Sequence, residues 1–454
     1  MRKIIQYMMM ALIAVVLASC ANDISEESTP TVKSNIRFVV DDFPMFEKPS
    51  TRTIGEEDKG KTAWAVGDEI CVKLESKELG TQTATLKYNG VKFEIQDGNS
   101  LCYLDGEPVT AYAYYAPNRR WRNGSLDFKD IYGNPNGTAE FLEATCTVHY
   151  GDDNYVDISF ANATRNYSRL RIATIPKTEI KVDADNFAPT DNPNLLYMTY
   201  TLTSDEKGNA YLYGTFDNNS IVTVKYRGAS LATHKFSKKT ENAKSYVLDA
   251  TVISANSAEE IKSAIQKEVA DGKTAIRLNI ASDAGANEFK TIREAFKNVK
   301  DATIDLTLIG CKEIPADGLK ELNALKSIFL PDVTKIGMNA LFRCVYLEEI
   351  CAPNVSTIDE RAFAGFIMLE KVTLGELTDV RGEANSGGGI FDDDNWTPYI
   401  DLYLPKNQEV MKGEFDENSN QYIWKPTGEK YFATPDYDNG IFLGYQFNSV
   451  KSWE

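Results

Sequence analysis

Two short acidic runs carry side chains that could bind a cation. They are Asp392, Asp393 and Asp394 in one loop, and Asp436 and Asp438 in another. Carboxylate oxygens are the ligands that Ca²⁺ prefers, and the second run begins like a calcium loop. However, Phe447 stands where an EF-hand loop closes with glutamate. Solvated turns are the alternative, and we expect the chain to function without a cofactor or a metal.

Residue types for catalysis are scarce in this chain. His149 and His234 are the two histidines, and neither has a metal-ligand neighbour. No G-x-S-x-G elbow occurs, and Gly389 is followed by Ile390 rather than by the Lys-Ser/Thr pair of a phosphate-binding loop. The formal net charge of −17 also disfavours nucleic acid as a partner. We therefore expect a non-enzymatic protein.

Cys20 is the cysteine best placed for covalent modification. A basic pair, Arg2 and Lys3, precedes an apolar stretch that is too short to span a bilayer comfortably. The stretch ends in LASC at residues 17–20, which resembles a bacterial lipobox. The resemblance implies that residues 1–19 are a lipoprotein signal peptide and that Cys20 carries lipid, palmitate included, at the outer membrane. An ordinary signal peptide is the alternative.

Residues 20–33 and the other cysteines show no catalytic or metal pattern. The segment 20–33 is polar, acidic and aperiodic, which indicates a flexible tether. Three cysteines lack CxxC spacing, namely Cys71, Cys102 and Cys146. A disulfide between two of them is one alternative, because exported proteins can form such bonds. Cys344 is interpreted as a small buried hydrophobic residue in the repeats.

Residues 34–253 read as a series of short β-strands. Runs such as DEICVKL, TATLKY, VDISF and IVTVKY alternate apolar and polar residues between clusters of Gly, Asn, Asp and Pro. This pattern predicts tandem antiparallel β-sandwich domains, the first over 34–148 and the second over 149–253.

The order of four motifs in this region resembles fimbrillin-like proteins. They are TRT at 51–53, WAVGDEICV at 64–72, VTAYAYYAP at 109–117 and VDISFANATRNYSRLRI at 156–172. The resemblance implies two β-sandwich domains in tandem. In pilin members, a trypsin-like protease cuts at an N-terminal arginine, and a groove opens for a donor strand from the next subunit. Arg52 matches that position, although an unprocessed loop is the alternative, because this chain ends in repeats.

Tandem repeats occupy residues 303–405. KSIFLPDVTKIGMNALFRCVYL is followed at once by EEICAPNVSTIDERAFAGFIML, so Leu347 aligns with Leu369 at a spacing of 22. Such a period is typical of leucine-rich solenoids, whose units bury their apolar edges against each other. The pattern LPxVTxIGxxAFxxCxxLxxI resembles the BspA-like leucine-rich repeats of bacterial surface proteins. The resemblance implies a surface or adhesive role.

Segments on either side of the repeats are predicted to close the array. In residues 254–302, a capping-box pattern at Ser257 and helical spacing of apolar residues predict an α/β cap. Residues 406–454 are rich in aromatic residues and predict a second cap that plugs the far end. Stacking of those aromatics on sugar rings is the alternative.

The expected protein is therefore a multidomain chain of two β-sandwiches, an α/β cap and a short leucine-rich-repeat solenoid. We expect a surface-exposed outer-membrane lipoprotein that binds a host or microbial surface protein or glycan through the repeats. Polar residues at the starts of the repeat strands form the candidate ligand face: Lys326, Ser327, Glu348, Glu349, Glu370 and Lys371. The alternative is an accessory, tip or anchor subunit of a fimbria, with other fimbrial subunits as partners of the sandwiches.

Overall fold

The chain is multidomain and mostly β, with three units that follow one another in sequence. The structure is a computed structural model that describes residues 32–33, 36–47, 59–96, 101–104, 106–122, 125–127, 133–151, 154–161, 165–192, 194, 197–392, 396–433 and 440–453. Within these ranges, no helix combines the length and apolar character needed to cross a bilayer.

The first unit is built on one seven-stranded sheet. Its strands are β1 (Val32–Lys33), β2 (Arg37–Val40), β3 (Glu69–Ser76), β4 (Gly80–Tyr88), β5 (Phe93–Ile95), β6 (Tyr103–Leu104), β7 (Val109–Tyr115), β8 (Arg120–Arg122), β9 (Ser125–Asp127), β10 (Leu142–His149) and β11 (Tyr155–Ser159). Seven of these strands form the main sheet, in the order β2-β11-β10-β7-β3-β4-β5, while β1 pairs with β6 and β8 pairs with β9. Since β11 pairs with β10, the first unit extends past the predicted boundary at residue 148.

The second unit is a β-sandwich of two four-stranded sheets. Its strands are β12 (Ser168–Ala173), β13 (Glu179–Asp185), β14 (Phe187–Pro189), β15 (Tyr197–Thr203), β16 (Asn209–Phe216), β17 (Ile221–Tyr226), β18 (Ala229–Lys235) and β19 (Ser245–Asp249). The sheets have the orders β14-β16-β12-β19 and β15-β13-β17-β18. Alternate residues of each strand, such as Val182 and Val224, fill the core between the sheets. In these strand orders, β18 and β19 each lie at one edge of their sheet.

The third unit begins with two helices and two parallel strands. They are β20 (Ile253–Ser254), α1 (Ala258–Ala270), β21 (Ala275–Asn279) and α2 (Ala286–Phe296). Helix α1 begins after Ser257, whose side chain accepts a hydrogen bond from the backbone N–H of Glu260 at 3.3 Å. Such a cap satisfies an N–H group that the helix itself leaves unpaired. Apolar residues of both helices, Ile261 and Phe289 among them, are buried in the core that the repeats share.

Residues 303–405 form a stack of repeated coils, called here the repeat stack. Its strands are β22 (Ile304–Ile309), β23 (Glu313–Ile314), β24 (Leu325–Phe329), β25 (Lys335–Ile336), β26 (Glu349–Ala352), β27 (Thr357–Ile358), β28 (Lys371–Leu374), β29 (Asp379–Arg381) and β30 (Asp401–Leu404). Strands of successive coils pair in parallel, so that Ile328 lies beside Ile350. Leu347 and Leu369 are fully buried in one continuous core, as the repeat alignment predicts.

The C-terminal segment closes the end of the repeat stack. Its strands are β31 (Glu409–Asp416), β32 (Gln421–Lys430), β33 (Ile441–Phe442), β34 (Tyr445–Gln446) and β35 (Ser449–Ser452). Strand β35 pairs in parallel with β30, and β32 pairs antiparallel with β29. Aromatic side chains of this segment belong to the same core as the repeats: Tyr431, Phe442, Tyr445 and Phe447.

Candidate functional site: a cleft between the second unit and the repeat stack

A tight hairpin of the second unit rests on the repeat stack. Between β17 and β18, Arg227 and Gly228 both have positive φ angles, 48° and 87°. Two such residues form the turn that matches the twist of a short hairpin. A Cβ on Gly228 would lie 3.1 Å from Pro353 in the stack, which is a tight contact, and the positive φ of this residue also favours glycine. Arg227 forms an ion pair with the buried carboxylate of Asp332.

The third unit contains an eight-stranded parallel sheet of order β20-β21-β22-β24-β26-β28-β30-β35, called here the long sheet. The edge of the second unit also contacts the outer face of this sheet. Ile309 of β22 is buried within the core of the second unit. The guanidinium Nε of Arg277, on β21, donates a hydrogen bond to the carbonyl oxygen of Leu231, on β18, at 2.5 Å. Burial lowers the pKa of Arg277, while the nearby charges of Asp249 and Asp305 oppose that shift. These contacts hold strand β18 against the sheet at one end.

Beside these contacts, a partly enclosed cavity of about 550 Å³ separates the two units. One wall comes from the second unit and consists of residues 230–233 of β18 with Leu248 and Asp249. The other wall is the outer face of the long sheet, from Ala275 to Lys371. The volume falls within the range of sites that bind small ligands or short segments. We call this cavity the cleft.

All six residues of the predicted ligand face line the cleft: Lys326, Ser327, Glu348, Glu349, Glu370 and Lys371. The parallel register brings them together, because Ser327, Glu349 and Lys371 lie side by side on neighbouring strands. Side chains at one register position of such a ladder point to the same face. The sequence places them at a solvent-facing edge, whereas the structure places them opposite the second unit.

The charges on this wall are largely arranged in pairs. Lys371 Nζ lies 2.7 Å from Glu349 Oε1, and Lys326 Nζ lies 3.7 Å from Glu348 Oε2. Burial lowers the pKa of Lys371, but the hydrogen bond and charge of Glu349 raise it by more. Within the described residues, Glu370 has no basic group within 4.0 Å. Glu370 is itself exposed and lines the cleft.

The residues of the opposite wall are functional candidates that sequence reasoning missed. Asp249 and the edge of β18 belong to the second unit, far from the repeats in sequence, and Arg277 lies on the long sheet itself but in the segment before the repeats. Their local patterns predict ordinary strands, and no periodic signal connects them with residues 303–405. The two-residue turn at Arg227 and Gly228 is the one local feature that marks a tight hairpin there.

Asp392 is a structural residue within a loop. Its carboxylate accepts hydrogen bonds from the tyrosine hydroxyl of Tyr445 at 2.7 Å and from the backbone N–H groups of Asn385, Gly387 and Gly389. Burial raises the pKa of Asp392, and these bonds lower it by more, so the net shift is downward. The carboxylate of Asp392 thus stabilises the conformation of the glycine-rich loop. Within the described residues, no cluster of three or more His, Cys, Asp or Glu could hold a metal ion.

Several predicted site residues lie outside the described residues: Cys20, Arg52, Asp393, Asp394, Asp436 and Asp438. Among the described cysteines, no disulfide joins Cys71, Cys102 or Cys146, and burial raises the pKa of Cys146 to about 12. Both histidines are strand residues. His149 Nε2 lies 2.8 Å from a carboxylate oxygen of Asp157 on the neighbouring strand.

No protein-family model matches the sequence, and no curated protein matches it. Several solved structures share limited similarity with the chain, and three of them are described here. A candidate cell adhesion protein from Bacteroides fragilis is 10% identical over 48% of this chain and 93% of its own, with a TM-score of 0.22. A variant of the shaft pilin SpaA from Lactobacillus rhamnosus GG is 14% identical over 48% and 96%, with a TM-score of 0.19. The fimbrial anchor protein Mfa2 from Porphyromonas gingivalis is 12% identical over 43% and 80%, with a TM-score of 0.20. TM-scores this low do not establish a common fold with any of the three.

Proposed function

We propose that this chain is a non-enzymatic cell-surface protein of the adhesin type that binds a surface protein or glycan in the cleft. One observation carries the proposal. The six polar residues that the repeat pattern nominates as a ligand face all line a single cavity of about 550 Å³. Charged residues at adjacent register positions offer several polar contacts to one ligand, which suits specific binding without turnover.

The repeat family and the membrane anchor are proposed from the sequence. The repeat stack is proposed to belong to the BspA-like leucine-rich repeats, and its register of 22 residues, as in Ser327 beside Glu349, is what such a solenoid requires. Cys20 is proposed to carry lipid that anchors the chain at the outer membrane. The predicted tether 20–33 is shorter by two residues, because Val32 and Lys33 pair with β6 in the first unit. Residues 20–31 would then hold the three folded units away from the membrane surface.

The test is adhesion of cells that express the full chain, compared with cells that express a version ending at Ile253. We expect the truncated version to lose adhesion, because it lacks the cap, the repeat stack and one wall of the cleft. A second comparison uses Glu370→Ala against Glu417→Ala, an exposed acidic residue in the turn between β31 and β32. Equal adhesion by the full and truncated chains would place the function in the first two units.

A second candidate function is a fimbrial subunit assembled through the first two units. The observation that favours it is strand β2, which lies at the edge of the first sheet and pairs with β11 in parallel. Residues along its segment, Phe38, Phe43 and Phe46, are buried. Cleavage at Arg52 would release this segment and uncover the edge of β11, where a strand from another subunit could pair. Recovery of an Arg52-cleaved form in high-mass assemblies would support this candidate.

A further inference from the structure

Strand β18 lies at the edge of its sheet and borders the cleft. It is the last strand of the sheet β15-β13-β17-β18, so β17 pairs with it on one side only. The carbonyl oxygen of Leu231 points away from β17, since it accepts the hydrogen bond from Arg277 of the opposite wall. Farther along the same strand, residues 233–235 are exposed. An edge of this kind is a template for pairing with another extended chain.

The lining of the cleft as a whole is acidic. Carboxylates of the lining are Asp249, Asp305, Glu348, Glu349 and Glu370, and its cations are Arg277, Lys326 and Lys371. Five carboxylates against three cations leave the lining with a formal charge of −2. Glu348 and Glu349 are paired with Lys326 and Lys371. Asp249 and Asp305 accept hydrogen bonds from the hydroxyls of Thr251 and Ser327. Among the lining carboxylates, Glu370 is therefore the one best placed to pair with an added cation. An incoming cation would therefore find a complementary field.

We propose that the ligand of the cleft is an extended polypeptide segment rich in Lys or Arg, which adds to β18 as a further strand. This inference rests on the proposed function and specifies its ligand class. Main-chain hydrogen bonds to β18 would supply affinity, and alternate side chains would point toward the carboxylates of the long sheet. At about 3.3 Å per residue, residues 230–233 accommodate a segment of roughly four residues.

The first experiment measures binding of the purified full chain to two capped hexapeptides by calorimetry. One peptide alternates Lys with Val, and the other alternates Glu with Val. We expect the lysine peptide to bind at least about tenfold more tightly, because its charges complement the lining. Glu370→Gln should weaken its binding about three- to tenfold, whereas the matched change Glu417→Gln should leave it unchanged. Equal affinity of the two peptides would overturn the proposal.

The second experiment tests strand addition. Two forms of the lysine peptide carry N-methyl groups on complementary sets of alternate amides. Since only alternate N–H groups of an added strand face its neighbour, one form should lose binding at least about tenfold and the other should bind like the parent. Equal binding by both forms would exclude pairing with β18.

A third experiment separates this proposal from the proposed function. The lysine peptide is added to the cell-adhesion assay, and we expect it to inhibit adhesion that depends on the repeat stack. If that adhesion resists the peptide but is inhibited by soluble oligosaccharides, the ligand is a glycan and the strand proposal is wrong, while the proposed function stands. If adhesion does not depend on the stack, the proposed function itself is wrong.

Discussion

Arg227 and Asp332 connect the second unit to the repeat stack, although 105 residues separate them in sequence. Arg227 lies in the hairpin turn of the second unit, and its side chain is 53% exposed, whereas the side chain of Asp332 is 2% exposed. The second carboxylate oxygen of Asp332 accepts the backbone N–H of Gly310 at 2.9 Å. Asp332 therefore stabilises both the backbone of the repeat stack at Gly310 and the contact between the stack and the second unit.

This asymmetry predicts unequal effects of mutating the two partners. Asp332→Ala should destabilise the protein by about 1–3 kcal/mol, because it leaves the N–H of Gly310 without its acceptor. Arg227→Ala should cost less, at most about 1 kcal/mol. Its cation is half-exposed, and the buried carboxylate of Asp332 keeps the hydrogen bond from Gly310 and the charge of Lys312, whose Nζ lies 4.0 Å away. Urea unfolding of both variants measures this order. A larger loss for Arg227→Ala would contradict the structural role given to Asp332.

The buried leucines of the repeats predict a second result. Leu347→Ala or Leu369→Ala should lower the free energy of unfolding by about 2–5 kcal/mol, because each leaves a cavity in the shared core. Ile367→Ala is the matched control, since that side chain is 52% exposed. Thermal and urea unfolding should show a small effect for the control. Losses under about 0.5 kcal/mol for both leucines would mean that the shared core contributes little stability.

The repeats were predictable from sequence because their contacts are regular. A fixed period places Ile328 beside Ile350, and each coil repeats the environment of the one before it. The candidate ligand face follows from the same period, which aligns Ser327 with Glu349 and Lys371 and places Lys326, Glu348 and Glu370 at the preceding position of each coil. The alternation of apolar residues likewise indicates strands throughout residues 34–253.

Contacts between distant segments were not predictable in this way. No local pattern shows that β11 completes the first sheet, because its alternation would suit either unit. The same holds for Arg277, whose partner is a backbone carbonyl of β18 and therefore leaves no signature in side-chain type. The opposite wall of the cleft consists of such contacts, so only half of the candidate site could be read from sequence.

Asp392 predicts a dependence of stability on pH. Its folded-state pKa lies below the usual value near 4, so its stabilising bonds are complete above that value and are lost as pH falls through the lowered pKa. Asp392→Asn should therefore cost more stability at pH 7 than at pH 3. Urea midpoints at both pH values measure the difference, with the exposed turn residue Asp301→Asn as control. An equal loss at both pH values would show that the carboxylate charge is unimportant.

Cys20 predicts the mode of attachment to the cell. Cys20→Ala should abolish metabolic labelling with radioactive palmitate and release the chain from the membrane fraction, because several acyl chains provide the anchoring energy at about 0.8 kcal/mol per buried methylene. Cys102→Ala is a control that removes another thiol. Labelling and fractionation like wild type in the Cys20 variant would rule out the lipid anchor.

Strand β2 yields the last prediction, which separates the two candidate functions. In the first unit, β2 covers the edge of β11 with its backbone, while Phe38 contributes a buried ring to the core. Trypsin-like cleavage at Arg52 would detach this segment from the rest of the chain. For a fimbrial subunit, we expect the cleaved protein to form high-mass assemblies in size-exclusion chromatography, and an excess of synthetic peptide 36–47 should suppress them by refilling the edge. Arg52→Ala should block both cleavage and assembly.

For an adhesin that acts through the cleft, Arg52→Ala should leave cell adhesion unchanged. The cleaved form should then aggregate irregularly or remain monomeric, because its exposed edge has no dedicated donor strand.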